Sequence, residues 1–91
     1  MSENNPPPRW HVYIVRCRTG TLYTGITTDL DRRISDHNRG KGSKYTASRR
    51  PVRLVYCELH PDRSSAQKRE ARIKSWTRKK KEQLIDELPS R

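Results

Sequence analysis

Two tyrosines, Tyr13 and Tyr23, stand with nine residues between them; Gly25 follows the second, and Arg33 and His37 come after it, four residues apart. Two phenols, a guanidinium and an imidazole in one short stretch suit work on a phosphodiester. Hydroxyl and imidazole groups move or position a proton, and a fixed positive charge holds the charge that develops on phosphate. A carboxylate completes the set. Glu70 is the single acid among nine Lys/Arg between Arg63 and Lys81. It shares the i, i+4, i+7, i+11 stripe of Ala66, Ile73 and Thr77, so a helix would turn it toward the core. A half-buried carboxylate must be paired, protonated or bound to a cation. Two readings follow: an ion pair with Arg33, Lys74 or another base, or an oxygen ligand for Mg²⁺ or Mn²⁺.

Each of these residues also has a plainer reading. Tyr13 and Tyr23 fit the aromatic core of a hairpin, Arg33 a solvated helix face, and His37 a satisfied helix residue. His11, His37 and His60 are too scattered for a zinc set, and no Gly-rich loop runs into Lys-Ser/Thr, so nucleotide hydrolysis has no support.

The elements that must position these groups are legible in outline. Ninety-one residues make one small domain, and with 30% apolar residues and no Phe its core is lean. Residues 1–8 are polar and Pro-rich and are expected to be a disordered tail, leaving 9–91 as a single domain. The run from Trp10 to Cys17 reads as a buried strand, Arg18-Thr19-Gly20 as a three-residue turn, and Thr21 to Ile26 as the returning strand. That turn length sets Val15 opposite Tyr23 and Tyr13 opposite Gly25, so both phenols share one face and Gly25 leaves room for a ring or ligand. Thr27-Thr28-Asp29 starts a helix whose stripe is Leu30, Ile34 and His37, with Arg33 and His37 on one side. Residues 39–50 read as a basic loop and 52–59 as a third strand. Asp62 or Ser64 opens a helix to about Trp76, and Thr77 opens a last one to about Leu88 with Leu84, Ile85 and Leu88 facing inward. The expected class is α+β: a small three-stranded antiparallel sheet flanked by three helices, in the order ββαβαα.

Charge points to the partner. The net charge is +11, and six Lys/Arg with no acid lie between Asp36 and Glu58. Such clustering favours a polyanion, with DNA first and RNA the alternative. Arg39, Lys41, Lys44, Arg49, Arg50, Arg69 and Lys74 are the candidate phosphate contacts. No apolar run approaches the ~18 residues of a membrane span. Cys17 and Cys57 read as free thiols of a reducing cytoplasm, with a Cys17–Cys57 disulfide the minor alternative. A cytoplasmic monomer with no membrane association is expected.

His11-Val12-Tyr13, then Tyr23-Thr24-Gly25, the helix with Arg33 and His37 and the later helix with Glu70 together resemble the GIY-YIG endonuclease domain. The similarity spans residues 10–88 and is strongest to the small stand-alone bacterial members. His11 stands where the name-giving glycine does, Thr24 replaces an aliphatic residue, and Ile26 sits where some relatives carry a lysine. The resemblance implies a metal-dependent phosphodiesterase that nicks or cleaves DNA with little sequence choice. Tyr23, with Tyr13, would activate or position the attacking water; Arg33 would clamp the phosphate. Glu70 would bind one divalent ion, Mg²⁺ or Mn²⁺, and His37 would assist proton transfer. The alternatives are a catalytically weak or inactive nucleic-acid-binding module of the same fold, and an interaction subunit whose basic face docks on an acidic protein.

Overall fold

The computed structural model describes residues 9–87; the expected tail at 1–8 and the helix end at Leu88 lie outside that range. The elements are β1 (Trp10–Cys17), β2 (Leu22–Thr27), α1 (Leu30–Asn38), α2 (Lys44–Ala47), β3 (Val52–His60), α3 (Arg63–Lys74) and α4 (Arg78–Glu87). The three strands form one antiparallel sheet in the order β2-β1-β3. The α+β class holds. One element was not foreseen: the basic loop contains a one-turn helix, α2, capped by the Ser43 side chain, which accepts from Thr46 N–H. Ser43 lies in the cap position three residues ahead of Thr46, but one turn is too short for an apolar period to show.

The hairpin turn is as the loop length requires. Cys17 N–H donates to Thr21 O at 2.8 Å, Gly20 adopts φ +92°, and Val15 pairs with Tyr23 and Tyr13 with Gly25. Both phenols therefore project from one face. Helix starts follow their capping residues, with Asp29 accepting from Arg32 N–H and Asp62 from Ser65 N–H. Thr77 accepts from Lys80 N–H at 3.2 Å and opens α4.

Strand alternation divides the core in two. On one face Tyr13, Val15, Cys17 and Val52 pack with Tyr23 and Cys57 and with Leu30 and Ile34 of α1. On the other, Val12, Ile14 and Tyr56 meet Ala66 and Ile73 of α3, with Trp76, Leu84 and Ile85 beside them. Cys17 and Cys57 are free thiols.

Partly buried charge staples this second layer. Arg16 makes a two-pronged contact with Glu82 of α4, at 2.9 and 2.8 Å. Glu58 of β3 gathers Tyr56, His60 (2.6 Å) and Arg69 of α3 (2.9 Å). Burial works against the Glu58 carboxylate, yet the hydrogen bonds from Tyr56, His60 and Arg69 outweigh it and lower its pKa. Burial first, and then Glu58, push the Tyr56 phenol up to about 12.

Candidate active site

The face that carries the two phenols is closed beneath by α1 and bordered by α2. His37, fully buried, stands between the tyrosines and α2. Its Nε2 lies 2.8 Å from Tyr13 Oη and its Nδ1 lies 2.8 Å from Thr46 Oγ1. Both phenol rings meet the imidazole edge to face, with centroids at 5.8 Å for Tyr13 and 5.3 Å for Tyr23.

Two glycines make this packing feasible. A Cβ on Gly25 would fall 2.5 Å from Tyr13 Oη, so the glycine of the Tyr-x-Gly motif exists to let the opposite ring lie over the backbone. A Cβ on Gly42 would fall 2.0 Å from His37 Nδ1, so the chain entering α2 runs against the imidazole itself.

The groups named from sequence divide into those that meet and those that do not. Tyr13, Tyr23 and His37 come together, the Tyr13 phenol hydrogen-bonded to His37 and the Tyr23 ring set against it, while the charges of Arg33 and Glu70 act on the Tyr13 phenol. Although α3 covers the opposite face, it also packs against the edge strand β2, and the Lys74 ammonium sits 5.9 Å from the Tyr23 ring centroid. The second half of α3 thus reaches the site past the sheet edge. Lys74 pairs with Glu70 at 3.4 Å, so the ion-pair reading of Glu70 holds in this state. That pair is loose, its lysine half-exposed, and its worth at such a position is small.

Arg33 borders a polar cleft lined by Thr27, Thr28, Asp29, Arg32 and Asp36, and among the described residues no carboxylate pairs with it. Lys41 and Lys44 are exposed, and Arg39 is exposed with one contact to Asp36 at 2.9 Å. Arg49 and Arg50 are held over α2 by the carbonyls of Tyr45 (2.7 Å) and Ala47 (2.8 Å). Arg69 departs from its expected place among the phosphate contacts. Its guanidinium is taken by Glu58 on the far face and lies 5.3 Å from the Trp76 ring centroid.

The local field sets the protonation states. Burial, Tyr23 and Glu70 push the Tyr13 phenol well above the usual tyrosine range, against the pull of Arg33. Burial and then Arg33 lower the His37 pKa, with Asp36 opposing, so the ring is neutral at pH 7. A neutral imidazole against a protonated phenol can take or relay a proton.

Among the described residues no three His, Cys, Asp or Glu side chains cluster as a metal cage. A single carboxylate, Glu70, is nevertheless the donor set that Mg²⁺ or Mn²⁺ uses when water and substrate phosphate supply the other oxygens. The residues present fit that group.

Sequence reading did not find Thr46, Gly42 or Tyr45. Tyr45 stacks on Tyr23 with centroids 6.0 Å apart and carries Arg49 at 3.9 Å on its ring. The signal available was Gly42-Ser43-x-x-Thr46, a helix-start pattern inside a stretch that otherwise reads as loop.

Comparison with known proteins identifies the family. The family described as the GIY-YIG catalytic domain matches residues 9–83. A UPF0213 protein of Haloquadratum walsbyi is 54% identical over 77 residues, covering 85% of this chain and 86% of the relative. A UPF0213 protein of Staphylococcus aureus is 55% identical over 76 residues, covering 84% and 93%. The solution structure of a protein from E. faecalis matches with TM-score 0.61 and 42% identity over 89% of this chain and 86% of that one. That of a UPF0213 protein from Bacillus halodurans matches with TM-score 0.57 and 47% identity over 86% and 83%. Among the described residues no helix is long and apolar enough to cross a membrane. With the family match spanning residues 9–83 and relatives more than half identical over most of the chain, this protein belongs to the GIY-YIG family.

Proposed function

We propose that this protein is a metal-dependent phosphodiesterase that nicks or cleaves DNA with little sequence selectivity. One observation carries the reading: the Tyr13 phenol lies hydrogen-bonded to a buried neutral imidazole, and the charges of Arg33 and Glu70 both act on it. In that arrangement Arg33 clamps the scissile phosphate, and its fixed charge stabilises the oxyanion as the attacking oxygen adds to phosphorus and the leaving sugar oxygen departs. Tyr23, half-exposed above His37, positions the attacking water, and Tyr13 with His37 receives its proton. Glu70 would hold one Mg²⁺ or Mn²⁺, which would supply charge neutralisation at the phosphate. Displacing Lys74 from Glu70 frees that ammonium for a backbone phosphate.

Exposed Arg39, Lys41 and Lys44, with Arg49 and Arg50 around α2, form the basic rim beside this centre. Phosphate contacts of this kind give affinity without sequence choice, which matches the unselective cleavage proposed.

The test is Glu70→Ala assayed on supercoiled, linear, branched and single-stranded DNA and on RNA, with Mg²⁺ or Mn²⁺. Cleavage should fall by about a hundredfold or more, while nucleic-acid binding in a gel-shift assay persists. Wild-type protein that cuts none of these substrates with either ion would leave a non-cleaving nucleic-acid-binding module of the same fold as the correct account.

A further inference from the structure

The outer nitrogen of His37 has a partner whose purpose the site as described does not use. We propose that Thr46 sets the tautomer of His37, keeping the proton on Nδ1 so that Nε2 accepts the Tyr13 O–H. Thr46 is a positioning residue in this scheme, acting on Tyr13 through His37. Its effect on catalysis rests on the nuclease reading above; the tautomer itself does not.

The assignment starts from Tyr13. Its hydroxyl is a donor, it is 2% exposed, and its partner among the described residues is His37 Nε2. If Nε2 carried the proton, the phenol O–H would be left buried without an acceptor, at a cost of about 1–3 kcal/mol. Nε2 must therefore accept. A neutral imidazole has one N–H, so the proton stands on Nδ1 and needs an acceptor there.

Thr46 Oγ1 is that acceptor, 2.8 Å away and fully buried. Its own hydroxyl proton has somewhere to go: Ser43 O lies at 3.3 Å and Ser43 Oγ, which already accepts Thr46 N–H at 3.1 Å, lies at 3.0 Å. A helical threonine turned back on the carbonyl three residues earlier presents its lone pairs outward. Gly42 closes the arrangement, because its backbone sits against Nδ1 and leaves the ring no space to turn to other partners. The one-turn helix α2 exists here as the clamp that holds Thr46 against the ring.

The proton count closes. When the attacking water gives a proton to Tyr13 Oη, the Tyr13 proton passes to His37 Nε2. The products are hydroxide, a neutral phenol and an imidazolium with protons on both nitrogens. With the opposite tautomer Nε2 is already protonated and this transfer has no acceptor.

The experiment is a long-range ¹H–¹⁵N correlation on the ¹⁵N-histidine-labelled full chain at pH 7.5, paired with a nicking assay. In wild type, Nδ1 of His37 should give the protonated-nitrogen shift and Nε2 the unprotonated one. Thr46→Val, nearly isosteric, should move the ring toward the Nε2–H form and lower kcat about tenfold or more with KM little changed. Thr46→Ser should restore both. A wild-type ring protonated at Nε2 overturns the proposal, as does a Thr46→Val ring that keeps Nδ1–H. If Thr46→Val does not fold, the wild-type spectrum and Thr46→Ser decide. A wild type with Nδ1–H that cuts no nucleic acid would remove the nuclease reading and leave the tautomer assignment standing.

Discussion

Gly42→Ala tests the packing on which the whole centre depends. The added Cβ would stand 2.0 Å from His37 Nδ1, 2.5 Å from Cε1 and 2.6 Å from Cγ, where ordinary contact begins at 3.4 Å. The ring has no room to yield, since it is fully buried and tied on both sides, to Tyr13 and to Thr46, at 2.8 Å each. The loop before α2 must therefore back away by more than an ångström. Overpacking of that kind costs about 1–3 kcal/mol. Separating His37 from Thr46 leaves a buried ring nitrogen unpaired for about 1–3 kcal/mol more. A loss of about 2–6 kcal/mol is a large part of the stability of a domain this size. At about 4–8 °C per kcal/mol it corresponds to a fall in Tm of roughly 8–48 °C. Gly20→Ala is the control. Its φ of +92° makes alanine strained, but nothing lies within 4 Å of the new methyl, so about 1–2 kcal/mol is expected. Urea denaturation of both variants followed by far-ultraviolet circular dichroism gives the comparison. If Gly42→Ala is no less stable than Gly20→Ala, the close seat of the loop on His37 does not exist and the clamp argument fails.

Two further expectations follow from charge. The His37 pKa is lowered by burial and Arg33, so the unfolded chain binds a proton that the folded chain resists. Stability is full above the ordinary histidine pKa and declines as pH falls through about 6.5, by at most ~1.4 kcal/mol per pH unit from this group. Urea midpoints between pH 7.5 and 5.5 measure it, and a His37→Gln profile as steep as wild type would refute the assignment. Arg16→Met, which removes the two-pronged contact and leaves Glu82 of α4 without it, should cost about 1.5–3 kcal/mol. Amide exchange should then rise in α4 before it rises in β1, and equal protection in variant and wild type would count against the staple.

Much of the scaffold is written in short-range patterns. The hairpin register follows from a three-residue turn, because period-2 alternation leaves no freedom once the loop length is set. The helix starts at Asp29 and Asp62 follow from side chains able to accept backbone N–H groups. The stripes of α1 and α4 also read correctly, since Leu30 and Ile34 pack on one core and Leu84 and Ile85 on the other.

What sequence left open is what depends on residues distant in the chain. Arg69 reads as one more base on a basic helix, and only the approach of β3 to α3 shows that Glu58 claims it. Gly42 and Thr46 sit in a stretch whose composition says loop, and their meaning appears once α1 brings His37 against them. Glu70 was legible as a carboxylate in need of a partner, but its charge acts on Tyr13 only because α3 packs against β2. Local periodicity and capping act over a few residues and so are printed in the sequence. The hydrogen bonds of a buried imidazole are chosen by packing among α1, α2 and β1, and no local pattern encodes that meeting.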